Sequence, residues 1–184
     1  MVGVLRNFDF PLEQYADDIR DIVNVTVSRF GTEEWERVLL TNEIHGHLGI
    51  YSTLGAKMGL RARELFGNPG HDTPLTILSY AGEKPPVSCL NDGIQISTGA
   101  TLGHGLIRIA VVDEARPEAR FSCNGRSLTL RLKAGYARQI SEDIKEGVER
   151  FGHTPDYWLY VRSLAIRYWS EWDRREIFET TDKP

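Results

Sequence analysis

The chain is short of the features that most readily assign a protein to a class. It has only two cysteines, Cys89 and Cys123, and no C-x-x-C pair. Two thiols are too few for a disulfide framework or a four-cysteine iron–sulfur cluster, and no appended zinc finger is expected. No apolar run approaches the roughly 18 residues that cross a bilayer. The opening "MVGVLRNFDFPLEQYADD" lacks the basic-then-apolar layout of a secretory leader. Positive charge is in deficit: 22 Lys and Arg stand against 26 Asp and Glu, for a net charge of −4. No broad basic face is therefore expected for nucleic-acid phosphates. Together these absences predict a reduced, cytoplasmic setting with neither membrane nor nucleic acid as partner. In such a setting a cysteine can serve through its thiolate.

What is present is ordinary for a globular protein. Hydrophobic residues make up 41% of the 184 and charged residues 26%, enough for one substantial core over residues 1–184. The first third reads helical. Pro11 is placed to open a helix in which Leu12, Tyr15, Ile19, Ile22 and Val23 recur at helical spacing up to Gly31. A shorter helix follows Thr32 through Leu40, and Leu54, Met58 and Leu65 outline another that stops at Gly67-Asn68-Pro69. In the middle the period changes. "TPLTILSYAG", "LIRIAVVDEA" and "SLTLRLK" read as strands, a short helix starts near Ser88, and Asn124-Gly125 marks a tight hairpin. From Gly135 to Phe178 the helical pattern returns. Helices, then strands, then helices predict an α+β fold, an antiparallel-rich sheet packed with helices from both ends of the chain.

Two segments carry chemistry. The first is "NEIHGHLGIYSTLGAKMG", where His45 and His47 flank one glycine. Residues two apart cannot share one helix face, but in an extended segment Glu43, His45 and His47 project together, and Gly46 and Gly49 permit a turn. Imidazole nitrogens there suit zinc or a similar divalent ion. The plainer alternative is one histidine capping the next helix and the other buried in a hydrogen bond.

The second segment is "SCLNDGIQISTGATLGHG". Cys89 falls in the first turn of the predicted helix, where free N–H groups and the macrodipole favour a thiolate. Asp92 lies a turn on and can accept a hydrogen bond from a ligand histidine, with Gln95 a turn further. The loop holding Thr98, Thr101, Gly103 and His104 can bring backbone N–H groups to an anion. It lacks the Gly-Lys-Ser/Thr ending of a P-loop. The alternative is that Cys89 is a small buried hydrophobe and the glycines merely turn the chain.

Both blocks resemble the FmdE family, which takes its name from formylmethanofuran dehydrogenase. That family's pattern is an HGH-x-C/G entry to a helix, then C-x-x-D-G/A-I-Q-x-x-T-G-C-T-x-G-K-G. The match runs from about Glu43 to Leu106. It implies an α+β core that tends to pair as a homodimer and holds a metal, with His45, His47 and Cys89 as ligands. Asp92, Gln95, Thr98, Thr101 and Gly103 would line the same pocket, with Cys89, His104 and Glu43 as candidate catalytic groups. The sequence departs from the pattern at Gly49 and Ala100, each where a cysteine is often found, and at His104, where lysine is usual. His104 is then a fourth ligand or a proton carrier.

The resemblance implies a metal-dependent enzyme linked to one-carbon metabolism and acting on a small molecule. Two alternatives stay open: a non-catalytic metal- or ligand-binding accessory subunit of a larger redox enzyme, or a metal-free enzyme with Cys89 as nucleophile. The aromatic "YWLYVRSLAIRYWSEW" is read as a core or dimer-packing helix. The basic residues Arg116, Arg120, Arg126, Arg131 and Lys133, interspersed with acids, are read as a solvated sheet face.

Overall fold

A computed structural model describes residues 10–70, 72–152 and 154–181. His71 and His153, read from sequence as surface residues, lie outside these. The chain from Pro11 does not run as one helix. It breaks into a 3-10 turn, Leu12–Gln14, and two short helices, α1 (Asp17–Arg20) and α2 (Val23–Phe30). The break comes at Tyr15 and Ala16, both with extended backbone. Tyr15 packs its ring edge-on against Trp35 at 5.6 Å, and its hydroxyl accepts the Trp35 indole N–H at 3.3 Å. A tertiary contact has overridden the helical period.

Helix α3 (Thr32–His45) runs five residues beyond the expected Leu40 and takes in the first histidine. Gly46, at φ 86°, ends it in the left-handed conformation that glycine adopts without strain. Helix α4 (Ile50–Leu65) is buried on almost every side. After strand β1 (Thr76–Ser79) come a 3-10 turn (Val87–Cys89), α5 (Leu90–Thr98) and β2 (Ile107–Ile109). Strands β3 (Glu118–Cys123) and β4 (Arg126–Leu132) form a hairpin across Asn124 and Gly125, whose φ values of 50° and 76° suit the two-residue turn that the sequence predicts. Helices α6 (Ala134–Phe151) and α7 (Pro155–Glu171) follow, then β5 (Phe178–Thr180).

The sheet order is β2-β1-β3-β4-β5. Among the described strands only β1 and β2 are parallel, joined by the crossover that contains α5; the other described pairs are antiparallel. The fold is α+β, as the sequence predicts. Two elements differ from expectation. The strand read through "LIRIAVVDEA" stops at Ile109, because β1 ends at Ser79 and offers no further partner. Val111, apolar enough to look like strand, stands fully exposed. At the other end, the helical pattern read through Phe178 stops at Glu171. The Glu176 and Ile177 N–H groups turn back to the Asp173 carbonyl at 2.9 and 3.1 Å, and Phe178 then pairs with Leu132 as a sheet edge.

Two packing features position the site. Helices α4 and α5 cross with their backbones in contact. A Cβ on Gly93 would lie 2.1 Å from the Ser52 carbonyl, and one on Gly55 would lie 2.1 Å from that of Leu90. In addition, the fully buried Lys57 of α4 donates to Glu34 of α3 at 2.5 Å and to the Trp172 carbonyl at 2.8 Å. Arg174 completes this network, reaching Glu34 at 2.7 Å and Glu64 at 2.7 Å. Neutralising partners of this kind are what allow a lysine to be buried at all. Burial pushes the Lys57 amine below its ordinary pKa, and the Glu34 carboxylate opposes that shift.

Of the aromatic segment, Tyr168 and Trp169 are core residues, whereas Trp158 is 62% exposed. Trp169 stacks on Trp35 at 4.3 Å, and Tyr168 stacks on Trp172 at 3.9 Å. Arg131 and Arg116 both pair with the buried Glu118. Among the described residues no helix is long and apolar enough to cross a membrane.

Candidate functional site

The site begins with a turn. Asn42, buried in the last turns of α3, accepts the Gly49 N–H at 2.9 Å and the Ser52 hydroxyl at 2.7 Å through its side-chain oxygen. Its amide nitrogen donates to the Val38 carbonyl at 2.9 Å and to Thr53 at 3.2 Å. One side chain thus clamps the end of α3 to the start of α4, and the HGH segment has to fold over it. Because α3 runs through His45, Glu43 and His45 lie about 200° apart around a helix, not side by side on an extended face. Glu43 is exposed, facing away from the imidazole of His45.

His45 is the centre of the arrangement. Its Nδ1 lies 2.7 Å from Oδ2 of Asp92, across the α3–α5 packing. In the neutral imidazole the tautomer that donates from Nδ1 to this carboxylate has its lone pair on Nε2. That Nε2 is buried and has no hydrogen-bond partner among the described residues. A Cβ on Gly49 would sit 3.3 Å from it and 2.6 Å from the Ser52 hydroxyl, so the nitrogen is closely walled by Gly49 and Ser52. His47, beyond the turn, is exposed, with its ring centre 4.4 Å from that of His45. The part of the ring that is covered, then the neighbouring His45, lowers its pKa from the ordinary value.

Cys89 closes the 3-10 turn and stands as the residue before α5, not inside its first turn. Burial raises the thiol pKa and the Asp92 charge raises it further, overriding the lowering expected from a helix N-terminus. Among the described residues no three His, Cys, Asp or Glu side chains converge closely enough to hold a metal ion. The expected cluster of His45, His47 and Cys89 is therefore not assembled as a closed cage within one chain. What the fold does bring together is His45 with Asp92, and His47 beside His45.

The loop residues use their hydrogen bonds on the loop itself. Gln95 accepts the Leu102 N–H at 2.9 Å, Thr98 accepts the Ala100 N–H at 3.1 Å, and Thr101 accepts the His104 N–H at 3.3 Å. Gly103 and His104 stand exposed on the same turn. Sequence reasoning missed Asn42, which holds the turn, and Asn91, which ties α5 to the sheet by donating to the Gly82 carbonyl at 3.0 Å and accepting from Ser79 at 2.5 Å. Both adjoin quoted motif residues, but an asparagine carries no signal of what it will bond.

No curated protein matches the chain. A family model described as "FmdE, Molybdenum formylmethanofuran dehydrogenase operon" matches residues 44–177. The match runs from the HGH turn through α4, the Cys89 segment and the sheet to the turn before β5. The chain therefore belongs to the FmdE family.

Proposed function

We propose that this chain binds a divalent ion, zinc or a similar metal, with His45 Nε2 as the anchoring ligand and His47 and Cys89 as companion donors. One observation carries the reading: a buried imidazole nitrogen stands without a partner while its other nitrogen is fixed by a carboxylate. This is the arrangement in which metal-ligating histidines are found, since the carboxylate sets the tautomer and raises the basicity of the ligand nitrogen. The imidazole and thiol donor set suits such an ion.

A bound ion would polarise a carbonyl or lower the pKa of a water. The chain's own contribution is positional. Asp92 holds the proton on His45 Nδ1, and Asn42 fixes the turn that presents the imidazole. Among the described residues the named donors do not close around one point, so the remaining positions fall to water, substrate or a second copy in a homodimer. The family's operon name supports a role near one-carbon chemistry, either as an enzyme or as an accessory component of a larger redox enzyme. A metal-free Cys89 nucleophile is the weaker reading, because the raised thiol pKa disfavours the thiolate it would need.

Elemental analysis and thermal unfolding of chelator-stripped, zinc-reloaded protein test this. The expected outcome is a ligand-dependent rise in melting temperature for the wild type that disappears in His45→Ala. Equal zinc binding by the two proteins would overturn the assignment of His45.

A further inference from the structure

Beside the histidine turn, the N-terminal segment, the end of α3 and α7 surround a cavity of about 500 Å³. That volume is in the range of small-molecule sites. Phe10, Tyr15 and Trp169 line it with aromatic carbon, while Glu43, His47 and Arg162 supply its titratable groups. Trp169 is 1% exposed, so the accessible aromatic surface belongs to Phe10, 36% exposed, and to the half-buried Tyr15. These two rings stand at 87° with their centres 6.5 Å apart. The buried Trp35, 5.6 Å from Tyr15, braces them from the core side.

The polar groups of the lining are unequally satisfied. The Arg162 guanidinium is committed to both oxygens of Asp18, at 2.6 and 2.8 Å, so its charge is answered. The Asn42 side chain is engaged in clamping the turn. The Tyr15 hydroxyl accepts the Trp35 N–H. Glu43 is the exception. It is exposed, and its carboxylate has neither a hydrogen bond nor an ion pair among the described residues. The cavity thus joins an unanswered carboxylate to accessible aromatic rings.

We propose that this cavity binds a small organic cation with a quaternary, methylated ammonium head, held between the Glu43 carboxylate and the Phe10 and Tyr15 rings. The sign of the charge follows from Glu43, which attracts a cation and disfavours an anion. Aromatic rings add to that attraction through their quadrupole. Methylation follows from the supply of acceptors. A primary ammonium brings three N–H donors, and the side chains around the cavity offer it one uncommitted carboxylate. Donors taken out of water and left unmet cost free energy. A quaternary head has no donor to satisfy and presents apolar methyl groups to the rings. The inference goes beyond the metal reading and does not need the ion.

The test uses metal-stripped, full-length, 15N-labelled protein, with the backbone amides of the lining residues Gly46 and Leu48 as reporters. Choline is the probe, and 3,3-dimethyl-1-butanol, which replaces its nitrogen by carbon, is the neutral control of the same shape. Choline is expected to shift both amides in a saturable way and to bind about tenfold more tightly than the alcohol, with ethanolamine weaker than choline. Glu43→Gln should weaken choline about threefold, as expected for loss of one exposed charge pair, and leave the alcohol unchanged. Ala16→Phe provides an independent variant: Ala16 is exposed and lines the cavity, so a larger side chain obstructs it and should weaken both compounds. No saturable shift with choline, equal binding of choline and the alcohol, ethanolamine binding as tightly as choline, or undiminished choline binding in either variant would each overturn the proposal. Since no metal is present, these results stand apart from those of zinc reloading.

Discussion

A histidine whose Nδ1 is held by a carboxylate has one nitrogen left for chemistry, and in His45 that nitrogen is buried against a glycine. Replacing Asp92 by Asn removes the charge that fixes the tautomer, and should weaken zinc affinity by about 10–100-fold with little change in fold; competition with a chromophoric chelator measures it. Gly49→Cys adds a thiol beside Nε2. Its Cβ would fall 2.6 Å from the Ser52 hydroxyl, which is buried and bonded to Asn42, so the thiol is introduced together with Ser52→Ala; the backbone at φ −108° accepts a side chain. The expected result is tighter zinc binding than wild type in the same competition. The buried charges behave differently. Glu34→Ala leaves Lys57 without its carboxylate and should cost about 3–5 kcal/mol by urea unfolding, whereas the double replacement Glu34→Leu with Lys57→Met should cost much less. At this scale the reactive residue types were legible, because His and Cys declare themselves by identity. Lys57 and Glu34 were not: nothing in "GAKMG" or "TEEWER" distinguishes a buried charge from a solvated one.

Helices α4 and α5 set the distance between the two motifs. Gly55 and Gly93 allow their backbones to touch, and this draws the first turn of α5, with Asp92, up to the end of α3. A methyl group at Gly93 would fall 2.1 Å from the Ser52 carbonyl and 2.2 Å from the Ala56 nitrogen. Backbone atoms cannot move aside as a side chain can. Gly93→Ala should therefore destabilise the protein by at least about 1–3 kcal/mol and separate His45 from Asp92, seen as a lower urea midpoint together with weaker zinc binding. Element type was readable where local chemistry is strong, as at the Asn124-Gly125 hairpin and in amphipathic α6. It was misread where packing decides. The break at Tyr15, the extension of α3 to His45 and the edge strand at Phe178 each follow from a partner distant in sequence. Cys89 was misplaced by one position, and its pKa went the opposite way, because burial and Asp92 outweigh the short helix behind it.

Across the whole molecule, the N-terminal segment is fastened to α7 by Asp18 and Arg162, and that junction forms one wall of the cavity. The hydrogen bond from Arg162 is the largest influence on the Asp18 carboxyl and holds it below its ordinary value of 3.8. A depressed carboxyl stabilises the fold above its unfolded-state pKa, and that contribution is lost as the pH falls through the folded-state value. Asp18→Asn should therefore flatten the fall in urea midpoint between about pH 5 and pH 2, while the wild type retains the steeper slope. The amino-acid order alone determined the α+β class, the hairpin and the family, and it supplied the candidate donor residues, because these depend on periodicity, turn chemistry and residue type. Tertiary structure alone decided that His45 meets Asp92, and that among the described residues His45, His47 and Cys89 do not close around a point. Those outcomes depend on how closely two glycine-bearing helices approach and on what lies across the core, and distances between residues far apart in the chain are not encoded in any local pattern.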